Sequence, residues 1–314
     1  MLHWDRSARG PRVPVTRRVL SVFVVGALVG AAIASAVALS VASSPSNATT
    51  SRGDYLALGD SVSFGYRESN TLPPPVYTDP ADFTGFPEDV AGALGMNVTN
   101  AACRGASSGQ LLHSDVSALG CPLHVPYTGT QVGFATRFLS SHPATTLVTL
   151  MIGINDALQC QADTRDHCAS ELTHVLTELS ENVATILTQI RDHYAGTIVV
   201  VNYYPLTYNG ADYSASVNHA VDEAAAPFHV RVANGWSAFV TAAAPAGGDE
   251  CAAGLLTQLV SGGCGIHPSP SGQALLALSV EEAIRADTTT TTSTPPATCP
   301  KGWRVGLDGK CVAG

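Results

Sequence analysis

Between Gly53 and Arg285 the chain alternates short unbroken apolar runs with longer amphipathic stretches. The runs are "DYLALG", "MNVTNAA", "TTLVTLMIG", "TIVVVNYYP" and "FHVRVAN". They are short and rich in β-branched residues, which predicts strands, and their lack of polar alternation predicts strands buried on both faces. The intervening segments repeat apolar residues at helical spacing. "GFPEDVAGALG" reads as a helix with Pro87 near its start and Gly95 at its end. The longest, "SELTHVLTELSENVATILTQIRDHY", places Leu172, Val175, Leu176, Leu179, Val183, Ile186, Leu187 and Ile190 on one face, with Ser170 as the expected N-cap. "SPSGQALLALSVEEAIRA" predicts a last helix. Such alternation predicts an α/β fold, a parallel sheet with helices on both faces.

The flanks break the pattern. Residues 1–18 hold five arginines and one aspartate, and 19–42 form an uncharged apolar segment without proline. A basic flank, an apolar core and small residues at Ala36-Val37-Ala38 and Ser40-Val41-Ala42 fit a signal peptide. The run is also long enough for an N-terminal membrane anchor, which needs about 20 apolar residues. Both readings stand, and either makes the protein extracytoplasmic. Residues 43–52 are a polar linker, 53–286 the folded domain, and 287–298 a Thr/Pro linker that cannot build a core. Residues 299–314 form a tail too short to fold without a Cys299–Cys311 loop. Trp303 and Lys301 make it a candidate contact for cell wall or membrane, beside the plainer reading of a tethered loop.

Charge and cysteine content narrow the function. The net formal charge is −9; residues 1–18 carry +4, so the remainder stands at −13. That argues against nucleic acid as a partner, since phosphate binding relies on Lys and Arg. The eight cysteines, an even number in an exported chain, predict disulfides. About 105 connectivities are possible for eight cysteines. Sequential pairing is expected: Cys103–Cys121, Cys160–Cys168, Cys251–Cys264 and Cys299–Cys311. No Cys-x-x-Cys spacing points to zinc.

In a parallel sheet, ligands bind beyond the carboxyl ends of the strands. "GDSVSFG" with Ser61 follows the first run, "CRGASSGQ" with Gly105 the second and "GINDA" with Asn155 the third. "CGIHPSPSG" delivers His267 just before the last helix. A hydroxyl, an imidazole and oxyanion donors are the parts of a serine hydrolase. His267 would take the proton of Ser61, and the N–H groups of Ser61 and Gly105 with the Asn155 amide would hold the oxyanion. Taken singly, each is an ordinary turn glycine, helix cap or loop histidine; the ordered set at successive strand ends carries the reading.

"LALGDSVSFG", "NAACRGASSG", "LMIGINDA" and "GIHPSPSG" resemble the four blocks of the SGNH, or GDSL, hydrolase family, and the resemblance runs over Tyr55 to Ala286. It is nearest to the secreted, disulfide-containing lipases and esterases. It implies a flavodoxin-like three-layer sandwich, Ser61 as nucleophile, His267 as base, Ser61, Gly105 and Asn155 as the oxyanion hole, and neither metal nor cofactor. The chain departs from the family pattern three residues before His267, where an Asp is common and Cys264 stands here. The expectation is a Ser61–His267 dyad oriented by the Cys264 backbone carbonyl, with Asp249 as an outside carboxylate candidate. The substrate would be a small or lipid-like ester, and the protein a monomer. The loops "RESNTLPPPVYTDPADFTGFP" and "SALGCPLHVPYTGTQVGF" are candidate pocket walls. Two rivals remain. "GASSG" matches a nucleophile elbow around Ser107, which would make the chain an α/β-hydrolase esterase. Alternatively the domain is an inactive wall-binding module.

Overall fold

The computed structural model describes residues 52–290, 303–305 and 311–313. Residues 1–18 and 19–42, nearly all of the 43–52 linker and most of the Thr/Pro tract lie outside them, as does Cys299 with its expected bridge to Cys311.

The strands are β1 (Asp54–Gly59), β2 (Asn97–Asn100), β3 (Thr145–Met151), β4 (Thr197–Val201), β5 (Thr207–Tyr208), β6 (Ala211–Asp212), β7 (Arg231–Ala233), β8 (Leu256–Gln258) and β9 (Cys264–Pro268). The helices are α1 (Ser61–Phe64), α2 (Phe86–Leu94), α3 (Ser108–His113), α4 (Val116–Leu119), α5 (Gln131–Ser141), α6 (Ile154–Asp163), α7 (Leu172–Arg191), α8 (Ser214–Ala225), α9 (Gly235–Ala243) and α10 (Pro270–Thr290). The tail adds an antiparallel pair, Trp303–Val305 with Cys311–Ala313.

All five apolar runs become the central sheet, in the order β2-β1-β3-β4-β7 and parallel throughout. Helices α2, α9 and α10 pack together on one face; α3, α5, α6, α7 and α8 form the other layer. This is the expected three-layer flavodoxin-like sandwich. Five residues of β1, Tyr55 to Gly59, are buried, as two covered faces require. Tyr55 still satisfies its hydroxyl, 2.7 Å from Thr149 Oγ1 on β3.

Local chemistry explains the boundaries. Helix α2 begins where Glu88 Oε2 accepts the Gly85 N–H at 2.8 Å, and ends at Gly95 in the left-handed conformation. The buried face of α7 is Leu179, Val183, Ile186, Leu187 and Ile190; Leu172, Val175 and Leu176 are only half-buried. Ser170 is not its N-cap, which is Glu171, because Ser170 N–H and Oγ both bond Asp166 Oδ2. Helix α10 runs on to Thr290, into the tract read as linker from 287, since no proline interrupts it before Pro295. No helix among the described residues is long and apolar enough to cross a membrane.

Three sequential disulfides form as expected, Cys103–Cys121, Cys160–Cys168 and Cys251–Cys264. Such bridges are consistent with an extracytoplasmic protein.

Candidate active site

Strand β1 ends at Gly59, whose N–H and C=O are both clamped by the Gln131 amide, at 2.7 and 3.1 Å. The chain then turns at once into α1. Asp60 caps that helix through Oδ1, which accepts the Val62 N–H at 3.0 Å, and Ser61 is the first helical residue, 8% exposed. The strand end and the short helix leave Ser61 Oγ one direction to face, the rim of the sheet.

His267 arrives on β9, the second strand of an antiparallel hairpin with β8. The Cys251–Cys264 bridge, the Tyr204 hydroxyl on Ile266 O at 2.5 Å and Thr257 Oγ1 on His267 O at 3.1 Å tie that hairpin down. The result places His267 Nε2 3.0 Å from Ser61 Oγ. The two side chains are 206 positions apart in sequence.

The other ring nitrogen corrects the sequence reading. His267 Nδ1 lies 2.8 Å from Oε1 of Glu68, so the partner is this carboxylate and not the Cys264 carbonyl. The same oxygen accepts the Ile266 N–H at 2.9 Å and the His267 N–H at 3.3 Å. Gly265 makes the approach possible: a Cβ there would stand 2.0 Å from Glu68 Oε1 and 2.1 Å from its carboxyl carbon. Burial pushes the Glu68 carboxyl upward, but the hydrogen bond and charge of His267 outweigh it, and the group sits below the usual glutamate range. Asp249, the outside candidate, instead caps a turn by accepting the Ala252 N–H at 2.9 Å.

Gly105 and Asn155 come to the same cavity as Ser61 and His267. Gly105 has φ 76°, the left-handed region a side chain would strain, and a Cβ there would meet no atom within 4 Å. Asn155, in the first turn of α6, gives its Nδ2 to Asp60 Oδ2 at 3.0 Å and to Ala106 O at 3.1 Å. Asp60 is fully buried and also accepts the Tyr203 hydroxyl at 2.6 Å. Burial raises its pKa to about 6 despite those hydrogen bonds. Asp156, next to Asn155, anchors another element, accepting Ser108 N–H at 2.9 Å and Ser108 Oγ at 2.5 Å at the start of α3.

Ser107, the rival nucleophile, is the N-cap of α3 and is not among the residues lining the cavity that holds His267. The sheet order and the position of His267 remove the nucleophile-elbow reading.

The cavity measures about 910 Å³. Its walls differ from those expected. From the first candidate loop Glu68 lines it, just after Tyr66, and from the second only Leu119; the rest comes from Ser61 and Val62 on α1, from Arg104 and Gly105 after β2, from Gln110 on α3, from α6, from the β5–β6 hairpin and its approach, and from β8–β9. The remaining aromatics of the first loop pack inward: Phe83 is 5.0 Å from Phe64 between ring centroids and Tyr77 is 5.7 Å from Phe83. Among the described residues no group of histidines, cysteines and carboxylates could hold a metal ion.

Residues 57–275 match the model of the GDSL-like Lipase/Acylhydrolase family. Of the solved structures, a phospholipase A1 from Streptomyces albidoflavus is 20% identical, with a TM-score of 0.50; the match covers 74% of this chain and 100% of that one. Axe2, an acetylxylan esterase from Geobacillus stearothermophilus, is 18% identical with a TM-score of 0.47, covering 74% of this chain and 94% of that one. No curated protein matches. A match over well more than half of the chain, on a doubly covered parallel sheet, defines the class as a serine-type carboxylic ester hydrolase. The chain belongs to the GDSL-like lipase/acylhydrolase family.

Proposed function

We propose that the protein hydrolyses acyl esters through a covalent acyl-Ser61 intermediate, with Ser61, His267 and Glu68 acting as a triad. The carrying observation is the unbroken relay of Ser61 Oγ, His267 Nε2 at 3.0 Å, and Glu68 Oε1 at 2.8 Å from Nδ1. Glu68 fixes the imidazole with Nε2 as the proton acceptor and stabilises the imidazolium that forms. His267 takes the Ser61 proton as Oγ attacks the ester carbonyl, then delivers it to the leaving alkoxide. Water repeats the sequence on the acyl-enzyme, and Ser61 is released with the free acid.

The oxyanion would be received by the N–H groups of Ser61 and Gly105 and by Asn155 Nδ2. Both Asn155 amide hydrogens have acceptors in the resting site. Asn155 therefore exchanges the Ala106 carbonyl for the oxyanion and keeps its bond to Asp60, which sets the direction of the amide.

The lining supports a lipid-like or simple acyl ester over a carbohydrate: Leu119, Ile154, Leu158, Leu206 and Leu259 give it an apolar side. The three disulfides and the basic-apolar N-terminus support a secreted or N-terminally anchored location. The test is labelling with a fluorophosphonate and mapping the modified peptide, beside turnover of p-nitrophenyl esters of rising acyl length. Label on Ser61, and turnover lost in a folded Ser61→Ala, are expected; label elsewhere overturns the assignment.

A further inference from the structure

Asn100 ends β2 and is 2% exposed. It has no place in the proposed proton relay, yet its carboxamide joins three elements around the site. Nδ2 donates to Ser63 O at 2.8 Å and to Glu88 Oε1 at 2.9 Å, and Oδ1 accepts the Ala102 N–H at 3.1 Å. Both amide hydrogens and the amide oxygen are thereby engaged.

Two of these bonds bear on the reacting groups. Ser63 lies two residues past Ser61 in α1, a helix of only four residues. So short a helix satisfies few of its own carbonyls, and its direction depends on donors from outside. Ala102 opens the segment that brings Gly105 to the cavity. At the far end of that segment Ala106 O accepts from Asn155 Nδ2 at 3.1 Å. Asn100 therefore grips the element bearing Ser61 with its nitrogen and the segment bearing Gly105 with its oxygen, on one rigid plane. Glu88 fixes that plane, since its other oxygen takes the Gly85 N–H at 2.8 Å at the start of α2. Burial raises the Glu88 pKa, while the Asn100 hydrogen bond and the charge of His124 oppose the rise.

An asparagine that only shaped a turn would need no more than the Oδ1 bond to the N–H two residues on. The Nδ2 bonds reach back 37 and 12 positions instead. Serine lacks the reach and aspartate lacks the donors, so neither could make all three bonds.

We infer that Asn100 is a positioning residue that sets the spacing between the Ser61 hydroxyl and the oxyanion donors. The inference rests on the reading of Ser61 as nucleophile and of Gly105 and Asn155 as those donors. The test measures p-nitrophenyl butyrate turnover by wild type, Asn100→Ser, Asn100→Asp, Asn155→Ala and the double variant Asn100→Ser with Asn155→Ala, each first checked by near-ultraviolet circular dichroism. Asn100→Ser keeps an acceptor for the Ala102 N–H and frees Ser63 O. Its kcat should fall about tenfold or more, with KM changed by less than about twofold. The double variant should lose less than the product of the single losses, because both changes disable one oxyanion hole. Asn100→Asp sets a second carboxyl against Glu88, with His124 the other titratable group acting there. Burial and like charge hold a proton on that pair, and once both carboxyls are protonated one can again donate to Ser63 O. The kcat of Asn100→Asp relative to wild type should therefore rise as pH falls from about 8 to about 5, a signature that loss of packing alone would not give. Unchanged kcat in Asn100→Ser, a loss carried by KM, multiplicative losses in the double variant or a pH-independent ratio overturns the inference. If neither Asn100 variant folds, the residue serves the fold and the inference falls as well. Fluorophosphonate labelling of wild type separates the two readings. Label away from Ser61 ends the nucleophile reading, whereas label on Ser61 with full turnover in Asn100→Ser ends only the positioning role.

Discussion

Glu68 Oε1 and His267 Nδ1 lie 2.8 Å apart although 199 positions separate the two residues in the chain. Glu68 follows Ser61 by seven residues, while His267 arrives on the β8–β9 hairpin. The carboxylate and the imidazole are therefore supplied by opposite ends of the domain.

Glu68→Gln keeps the shape and removes the charge that favours the imidazolium. We expect kcat on p-nitrophenyl acetate to fall by about 10²–10⁴-fold with KM nearly unchanged. A fall of less than about fivefold would return the orienting role to a main-chain carbonyl.

Gly265→Ala tests the same contact from the other side. The new methyl would occupy the position of the Glu68 carboxyl, so the loop bearing Glu68 must withdraw. Steady-state kinetics should show a loss of kcat approaching that of Glu68→Gln, and the double variant should show little further loss. Additive losses in that cycle would mean that the two residues act independently.

Asn155→Ala removes one oxyanion donor. The expected loss in kcat is about 10²–10³-fold, with far-ultraviolet circular dichroism unchanged. Full activity in the variant would take Asn155 out of the site.

Asp60 predicts a pH signature. Its pKa near 6 means that the carboxylate which orients Asn155 is lost as pH falls through that value, so it contributes to the acid limb of kcat. Burial is the main cause, the Tyr203 hydroxyl opposes it, and the charges of His267 and Asp156 pull in opposite directions. Tyr203→Phe removes the opposing hydrogen bond and should move the acid limb to higher pH. Stability carries the reverse sign. The unfolded chain releases this proton near 3.8 and the native chain near 6, so stability falls as pH rises between the two values, by about 3 kcal/mol. Asp60→Asn should flatten that slope in urea titrations at pH 4 and pH 7 while lowering kcat.

The Cys251–Cys264 bridge closes a short loop that contains β8 and ends where β9 begins. Replacing both cysteines with alanine should cost about 3 kcal/mol and lower Tm by about 6–12 °C, measured by calorimetry without reductant. Activity should drop at temperatures below the new Tm, because the hairpin holds His267.

Legibility followed the range of the forces involved. The sheet strands were readable because a strand covered on both faces must be apolar throughout, as β1 and β4 are. That Ser61, Gly105, Asn155 and His267 meet at one cavity was readable because each follows a strand or precedes a helix. Glu68 was not: it is one polar residue in a loop rich in polar residues, and its partner is fixed by the tertiary fold. The missing acid before His267 signalled that a substitute was needed, and a loop leaving the nucleophile at the same rim was the place to seek it. Tyr203 was hidden likewise, since its hydroxyl meets Asp60 only across the sheet. The loop aromatics misled because Phe83 packs on Phe64 and Tyr77 on Phe83, and neither is among the residues lining the cavity.

The late arrival of the imidazole has a kinetic corollary for biosynthesis. On the proposed roles, the Ser61 hydroxyl leaves the ribosome some two hundred residues before the imidazole that would activate it, so a nascent or truncated chain would carry an inert alcohol. Competence to form the proposed acyl-enzyme would be acquired in one stroke, when the β8–β9 hairpin seats.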